Sequence, residues 1–347
     1  MANEMTKLLD AITPEQYTKY TNTKAEEHSA FIQSGIMVPT PALDQMIVAG
    51  GKLVTMPEWT QTGLTDQVLE EDTDLETGKN GSAAQIAPVL YRGTGAAYTD
   101  LVAIIAGSNP VTQILNDFAD YTLRSDQEIM QQIIKALFAK GTGQNKGALL
   151  DSHVSDQSGA KNPVICPEMV IDARSILGTS RSKLAVIALH SKVKAELEKQ
   201  NVQTKYFIPA SDSKSGFDTY LGMRVVEDDS LLPDKDGIYE TYLYATGAFG
   251  RNTATPSDMV TYEPDRNKAK GNNMLYVRRS RVIHPFGLKF NSTQVSKVTP
   301  TNADLALAKN WEKVHEDKKI GLICLRHKIS ADLTEVTPPE VTPSVES

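Results

Sequence analysis

Three patterns place this chain in the α+β class. One is a single, unusually long amphipathic stretch over residues 110–139. Another is the alternation of helical and strand segments that begins at Pro167. The third is the lack of any internal period, which sets repeat architectures aside. In the long stretch, Val111, Ile114, Leu115, Phe118 and Tyr121 are followed by Ile129, Met130, Ile133, Ile134, Leu137 and Phe138. That i, i+3, i+4, i+7 spacing predicts one helix. Asn109 and Pro110 open it, and Gly141 and Gly143 close it. About 29 residues at 1.5 Å each make a rod of roughly 40 Å, long enough to brace an extended structure.

Taking the remaining elements in order, residues 1–40 are polar and weakly periodic. They read either as a surface extension or as an arm that packs on another subunit. In 36–60, Pro39, Pro41 and the Gly50-Gly51 pair break the chain, leaving short strands at 46–49 and 53–56. Residues 60–100 read as a long two-stranded excursion with its turn near residue 79, at Gly78-Lys79-Asn80-Gly81. A lone hairpin is marginal in water, so this one needs something to rest on. From Pro167 a helix to Leu177, a buried strand over 183–189 and a helix over 190–201 follow in turn. Later strands are predicted at 223–226, 238–244 and 274–283. The last seventeen residues, with three prolines, four acids and no basic residue, read as a disordered tail.

Composition excludes several classes. The 347 residues are 40% hydrophobic and 23% charged, ordinary for a folded chain of roughly 100–200 residues per domain. A formal net charge of −7 argues against a dedicated nucleic-acid reader. Removing the tail would bring it from −7 to −3, so more than half of the acidity lies there. Cys166 and Cys324 are too few for a disulfide scaffold and suit a reducing cytosol as packed thiols. The longest clean apolar run, Leu101–Ala106, falls far short of the roughly 20 residues of a membrane helix. The N-terminus has no apolar core of a secretory signal, so a cytoplasmic site of synthesis is expected.

Catalytic motifs are missing. There is no phosphate loop, dinucleotide fingerprint, H-E-x-x-H, C-x-x-C or G-x-S-x-G. The stretch Gly141–Gly147 has the wrong spacing and follows a helix. The acids from Glu70 to Glu76 do not make a calcium loop. Counted from Asp72, the sixth residue is Thr77 and the twelfth Ala83, where Gly and Glu are required. His190 reads as a helix cap or packing residue. No catalytic, metal or cofactor site is expected.

Charge is distributed unevenly. Residues 53–78 hold seven acids, among them Glu70, Glu71, Asp72, Asp74 and Glu76, and no basic residue. Residues 266–284 hold Arg266, Lys268, Lys270, Arg278, Arg279 and Arg281, and no acid. The basic strand reads in three ways: an edge protected by charge, a patch facing nucleic-acid phosphates, or a surface complementary to the acidic stretch of a neighbouring subunit. The last makes Glu70, Glu71, Asp72, Asp74, Glu76, Arg278, Arg279 and Arg281 candidate intersubunit residues.

An arm, a long hairpin, one long helix, an α/β part and late strands occur in that order. The order resembles the major capsid proteins of tailed bacteriophages, with the Hong Kong phage-type capsid fold. The stretches VPTPALDQMIVAGGKLVTMPEW (38–59), EEDTDLETGK (70–79), VLYRGTGAAYTDLV (89–102), FDTYLGMRVVEDD (217–229), YLYATGAF (242–249) and PTNADLALAKNWEKVHEDKKIGL (300–322) carry the resemblance. It covers nearly the whole chain apart from the extreme N-terminus and the tail.

The resemblance implies an N-terminal arm (1–45), an extended-loop hairpin with its base strands (46–103) and a peripheral domain with a spine helix (104–165). An axial domain (166–265), return strands of the peripheral domain with a C-terminal segment (266–330) and the acidic tail (331–347) complete the chain. It further implies a non-enzymatic shell protein forming hexamers and pentamers around double-stranded DNA. Portal and scaffolding partners, a place in the virion capsid and assembly in the host cytoplasm go with it. No membrane partner is implied. Two other readings stay open at this level: an encapsulin-type compartment shell around a cargo enzyme, and an α/β enzyme with an unrecognised site.

Overall fold

A computed structural model describes residues 34–40, 47–48, 50–60, 66–68, 74, 81–106, 110–204, 206–210, 217–254, 256, 259, 261–295 and 297–330. The expectations for 1–33, for the turn near residue 79, for the Asn109 cap and for the 331–347 tail lie outside these residues.

The first described strand, β1 (Met37–Val38), runs parallel to Phe249–Gly250. Ile36 beside it is fully buried, so the predicted arm already joins the core before residue 45. A hairpin forms, but earlier in the chain than the expected 60–100: β2 (Leu53–Thr60) pairs with β3 (Gly81–Pro88), with Leu53 opposite Pro88 and Thr60 opposite Gly81. Burial rises along β3 from exposed Gly81 to buried Pro88, so only the root of the hairpin rests on its own chain.

The sequence reading puts residues 90–99 in the same excursion. The structure instead gives them to another sheet: β4 (Leu90–Thr99) pairs with residues 272–281. The reason is non-local, since a ten-residue ladder with a distant strand outweighs any pairing the hairpin could offer. Helix α1 (Asp100–Ala106) follows, and its first amide donates to the Gly271 carbonyl at 3.0 Å.

The long helix forms as predicted. Helix α2 (Pro110–Leu137) is 28 residues long, about 42 Å of rod. Its second half is core: Ile129, Met130, Ile133, Ile134 and Leu137 are at most 2% exposed. In its first half Phe118 is buried. Tyr121, predicted to face inward, is 42% exposed. The helix ends where Gly147 comes against it, donating to Ala139 O at 3.1 Å, while Leu149 donates to Leu137 O at 3.0 Å.

The α/β part begins with β5 (Val154–Asp156) and α3 (Pro167–Ser175), which carries Pro at its start and Met169, Val170 and Ala173 on its buried face. Then come β6 (Leu184–Leu189), α4 (Ser191–Thr204), β7 (Phe207–Ile208), β8 (Thr219–Tyr220), β9 (Met223–Glu227) and β10 (Tyr239–Ala245). His190 caps α4, its Nδ1 accepting the Lys192 amide at 3.0 Å. The chain crosses into the first sheet through β11 (Phe249–Ala254), β12 (Tyr262–Asn267) and β13 (Asn272–Pro285). It closes with β14 (Leu288–Phe290), α5 (Asn302–Leu305), β15 (Trp311–Lys313) and β16 (Leu322–His327).

Two larger sheets organise this. The fourteen-residue β13 is the axis of a five-stranded sheet, with β4 on one edge and β12 and then β11 on the other. The second sheet has the order β5-β16-β10-β6-β9-β8-β7. The predicted division assigns residues 322–327 to the return segment. They form β16, which pairs with β10 and β5 inside the seven-stranded sheet and is buried along its whole length. Cys324 lies there as a free, buried thiol, and Cys166 is also free.

Candidate functional site

Among the described residues no group of three or more His, Cys, Asp or Glu is arranged to hold a metal ion, and no helix is long and apolar enough to cross a membrane. The functional features are surfaces, and three stand out.

The first is the hairpin root. Gln85 on β3 is 6% exposed, and three groups surround it. Its Oε1 accepts the Gly287 amide at 2.9 Å, which fixes the orientation of the amide group. Its Nε2 therefore faces Glu58 Oε2 at 3.0 Å and His315 Nε2 at 2.9 Å. His315 Nε2 is also 2.8 Å from Glu58 Oε2. Gly287 sits at φ +85°, and a Cβ there would meet Ile320 Cγ1 at 2.8 Å, so the turn that presents its amide is specific to glycine. Together with an apolar cluster of Ile47, Val54, Ala87, Val89 and Val282, these bonds hold the hairpin at its root.

The second is the basic strand β13, where the structure separates the predicted arginines. Arg281 is interior, its side chain 3% exposed. It donates to the fully buried Asp126 of α2 and to Ser125 Oγ at 2.5 Å. Arg251 donates to the same Asp126 carboxylate at 2.6 Å. Arg281 is thus a core ion pair joining α2 to the sheet, and it is removed from the outward-facing set. A charged residue in a strand reads as exposed unless its partner is known, and Asp126 lies 155 residues earlier. Arg278 is exposed and paired with Glu263 at 2.6 Å, while Arg279 is half-buried. Near them, burial chiefly, with the neighbouring Arg281 adding, lowers the Arg92 guanidinium from its ordinary value. Of the predicted acids, Asp74 is exposed; Glu70, Glu71, Asp72 and Glu76 lie outside the described residues.

The third was not foreseen in the sequence as a surface. On α1, Leu101, Ile104 and Ile105 are 64%, 75% and 56% exposed. These three belong to the apolar run that falls short of a membrane span. Its signal was present as an apolar run with no matching partner in the same region.

Exposed apolar side chains on a surface helix are a feature of surfaces that meet other molecules. The comparisons with known proteins agree. A major capsid protein from Bacillus phage SPP1 is 31% identical over 332 residues, covering 94% of this chain and 99% of that protein. The capsid of a native GTA particle matches with a TM-score of 0.52 at 14% identity, covering 87% of this chain and 90% of that one. The capsid of Ralstonia phage GP4 matches with a TM-score of 0.52 at 8% identity, covering 81% and 84%. No family model matches. At those identities the solved structures establish the fold, the Hong Kong phage-type capsid fold, and the SPP1 relative establishes the family. The chain belongs to the major capsid proteins of tailed bacteriophages.

Proposed function

We propose that this chain is the structural subunit of an icosahedral virion shell, self-assembling into hexamers and pentamers around double-stranded DNA. The observation that carries it is the 31% identity to a phage major capsid protein across 94% of the chain. The role is structural. That relative also favours a genome over a cargo enzyme as the enclosed material.

Finer assignments belong to this reading. The seven-stranded sheet with α3 and α4 serves as the axial domain, and the five-stranded sheet with α2 as the peripheral domain. The β2–β3 hairpin is the extended loop and reaches over an adjacent subunit. Portal and scaffolding proteins are its assembly partners, and assembly takes place in the host cytoplasm. The acidic run Glu70, Glu71, Asp72, Asp74 and Glu76 faces Arg278 and Arg279 of a neighbour, with Arg278 exchanging its own Glu263 for the incoming acids. Exposed pairs of this kind are worth about 0.2–1 kcal/mol each, so their effect depends on repetition through the shell and weakens with salt.

Expression of the chain alone, followed by size-exclusion chromatography and negative-stain microscopy, tests the shell reading. Rings or closed particles in the megadalton range are expected. A monodisperse small oligomer would overturn it.

A further inference from the structure

The chain as a whole is acidic, yet one groove in it carries cations alone. At the point where β10 ends and the chain crosses into β11 lies a groove of about 540 Å³. Two short 3-10 segments, Gly178–Lys183 and Asp317–Lys319, contribute to its walls. Lys183 comes from the first, and Lys318 and Lys319 from the second. All three are exposed, and no Asp or Glu lines the groove. Ser182 and Thr246 add two hydroxyl groups to the lining. Arg181, two residues before Lys183, is exposed as well. Asp317, on the same turn as two of the lysines, is held by Lys313 at 2.7 Å. Glu316 stands exposed beside it, outside the lining. Among the described residues, none of the four cations makes an ion pair, as is also true of the exposed Lys161, Lys192 and Lys235.

We infer that this groove binds the phosphate backbone of duplex DNA. The inference rests on the shell reading above for the presence of DNA, and adds the residues that meet it. Lysines on short exposed turns are compact point charges on flexible stems, suited to phosphates at any sequence.

Charge density decides between DNA and the other anion in the chain, the 331–347 tail. Duplex DNA presents one negative charge per about 1.7 Å of its axis. The four acids of the tail are spread over seventeen residues, one charge per roughly 14 Å when extended at about 3.3 Å per residue. A groove holding three lysines close together matches the denser polyanion.

The test uses soluble, unassembled chain and a fluorescein-labelled 20-base-pair duplex, with anisotropy titrations from 0.1 to 1 M NaCl. Shell formation is scored separately by microscopy, so a failure of the shell reading and a failure of the groove are read in different assays. Lys318→Ala/Lys319→Ala should make the slope of log affinity against log salt shallower by about 1.8, which is roughly 60-fold over that decade of salt. Lys268→Ala/Lys270→Ala removes the same charge from the β12–β13 turn and should leave the slope within error.

Equal losses in both variants, or none in the first, would overturn the proposal. So would a tail deletion after Ser330 that strengthens parent binding no more than it strengthens binding by Lys318→Ala/Lys319→Ala, combined with an unchanged slope in that variant. Should the alanine pair fold poorly, formaldehyde cross-linking of the parent chain to the duplex replaces it. Nucleotide adducts on peptides containing Lys183, Lys318 or Lys319 support the groove, and adducts confined to other lysines overturn it.

Discussion

Arg281 and Asp126 form an ion pair inside the fold, with side chains 3% and 0% exposed, and through it the long helix α2 is fastened to strand β13. Arg251 completes the arrangement from β11, with a second contact to Asp126 at 2.5 Å. Removing the shared carboxylate strands two guanidinium groups, one of them fully desolvated. Asp126→Ala should therefore destabilise the soluble chain by about 3–5 kcal/mol, as expected for breaking a buried pair. The exposed Arg278–Glu263 pair offers the contrast, and Arg278→Ala should cost about 0–1 kcal/mol. Urea denaturation of both variants measures the difference, and similar midpoints would contradict the assignment of Arg281 to the core.

Acid should weaken the fold through its buried imidazoles. Burial pulls His284 down to about 3 and His327 down to about 4, and lowers His153 from its ordinary value. Neither ring nitrogen of His284 makes a hydrogen bond of good geometry, and its ring stacks on Trp311 with centroids 6.4 Å apart. In each case the folded state binds protons less readily than the unfolded chain. The stabilising contribution is complete above about pH 6.5 and declines as the pH falls toward 4 and then 3. Each histidine adds a slope of up to about 1.4 kcal/mol per pH unit within that window. Unfolding free energies at pH 7, 6 and 5 should fall progressively, and His284→Phe should remove one proton from the slope.

At the C-terminal end of α2, Gly147 lies against the backbone. A Cβ there would sit 2.2 Å from Leu137 O and 2.7 Å from Ala139 N, atoms that cannot rotate away. Gly147→Ala should cost about 1–3 kcal/mol by over-packing. Gly143→Ala is the useful comparison: nothing lies within 4 Å of its Cβ position, and its penalty comes only from φ +61°. A thermal melt should rank Gly147→Ala as the less stable of the two.

The hairpin root gives a local prediction. Gln85→Leu removes the acceptor for Gly287 N–H and the donor to Glu58 while keeping the volume nearly constant. Amide hydrogen exchange over residues 53–60 and 81–88 should accelerate, with exchange in β6 and β10 unchanged. Equal acceleration in both regions would mean a global loss of stability in place of a loosened root.

Much of this was legible in the sequence wherever the signal was local and periodic. Helix α2 was, because eleven apolar positions recur at helical spacing. So was β6, from its uninterrupted apolar run. Three features were not legible, for different reasons. Strand β12 reads Tyr-Glu-Pro-Asp-Arg-Asn and is exposed throughout, so it carries no pattern of burial. The switch of β4 from hairpin to sheet depends on β13, more than 170 residues away. The interior position of Arg281 depends on Asp126, and three arginines within four residues give no sign of which one has a buried partner. The candidate intersubunit set was drawn from charge along β13 alone, which does not tell core charge from surface charge.

Strand β16 has a consequence for synthesis. It is inserted between β5, some 170 residues before it, and β10, some 80 before it, so neither has its full complement of hydrogen bonds until residues 322–327 are made. A nascent chain on the ribosome exposes the hairpin and α1 long before that, while the seven-stranded sheet still lacks the strand that joins its edge strand β5 to β10. Domains generally fold in order of emergence. Here the topology delays completion of the seven-stranded sheet until nearly all of the chain has been translated.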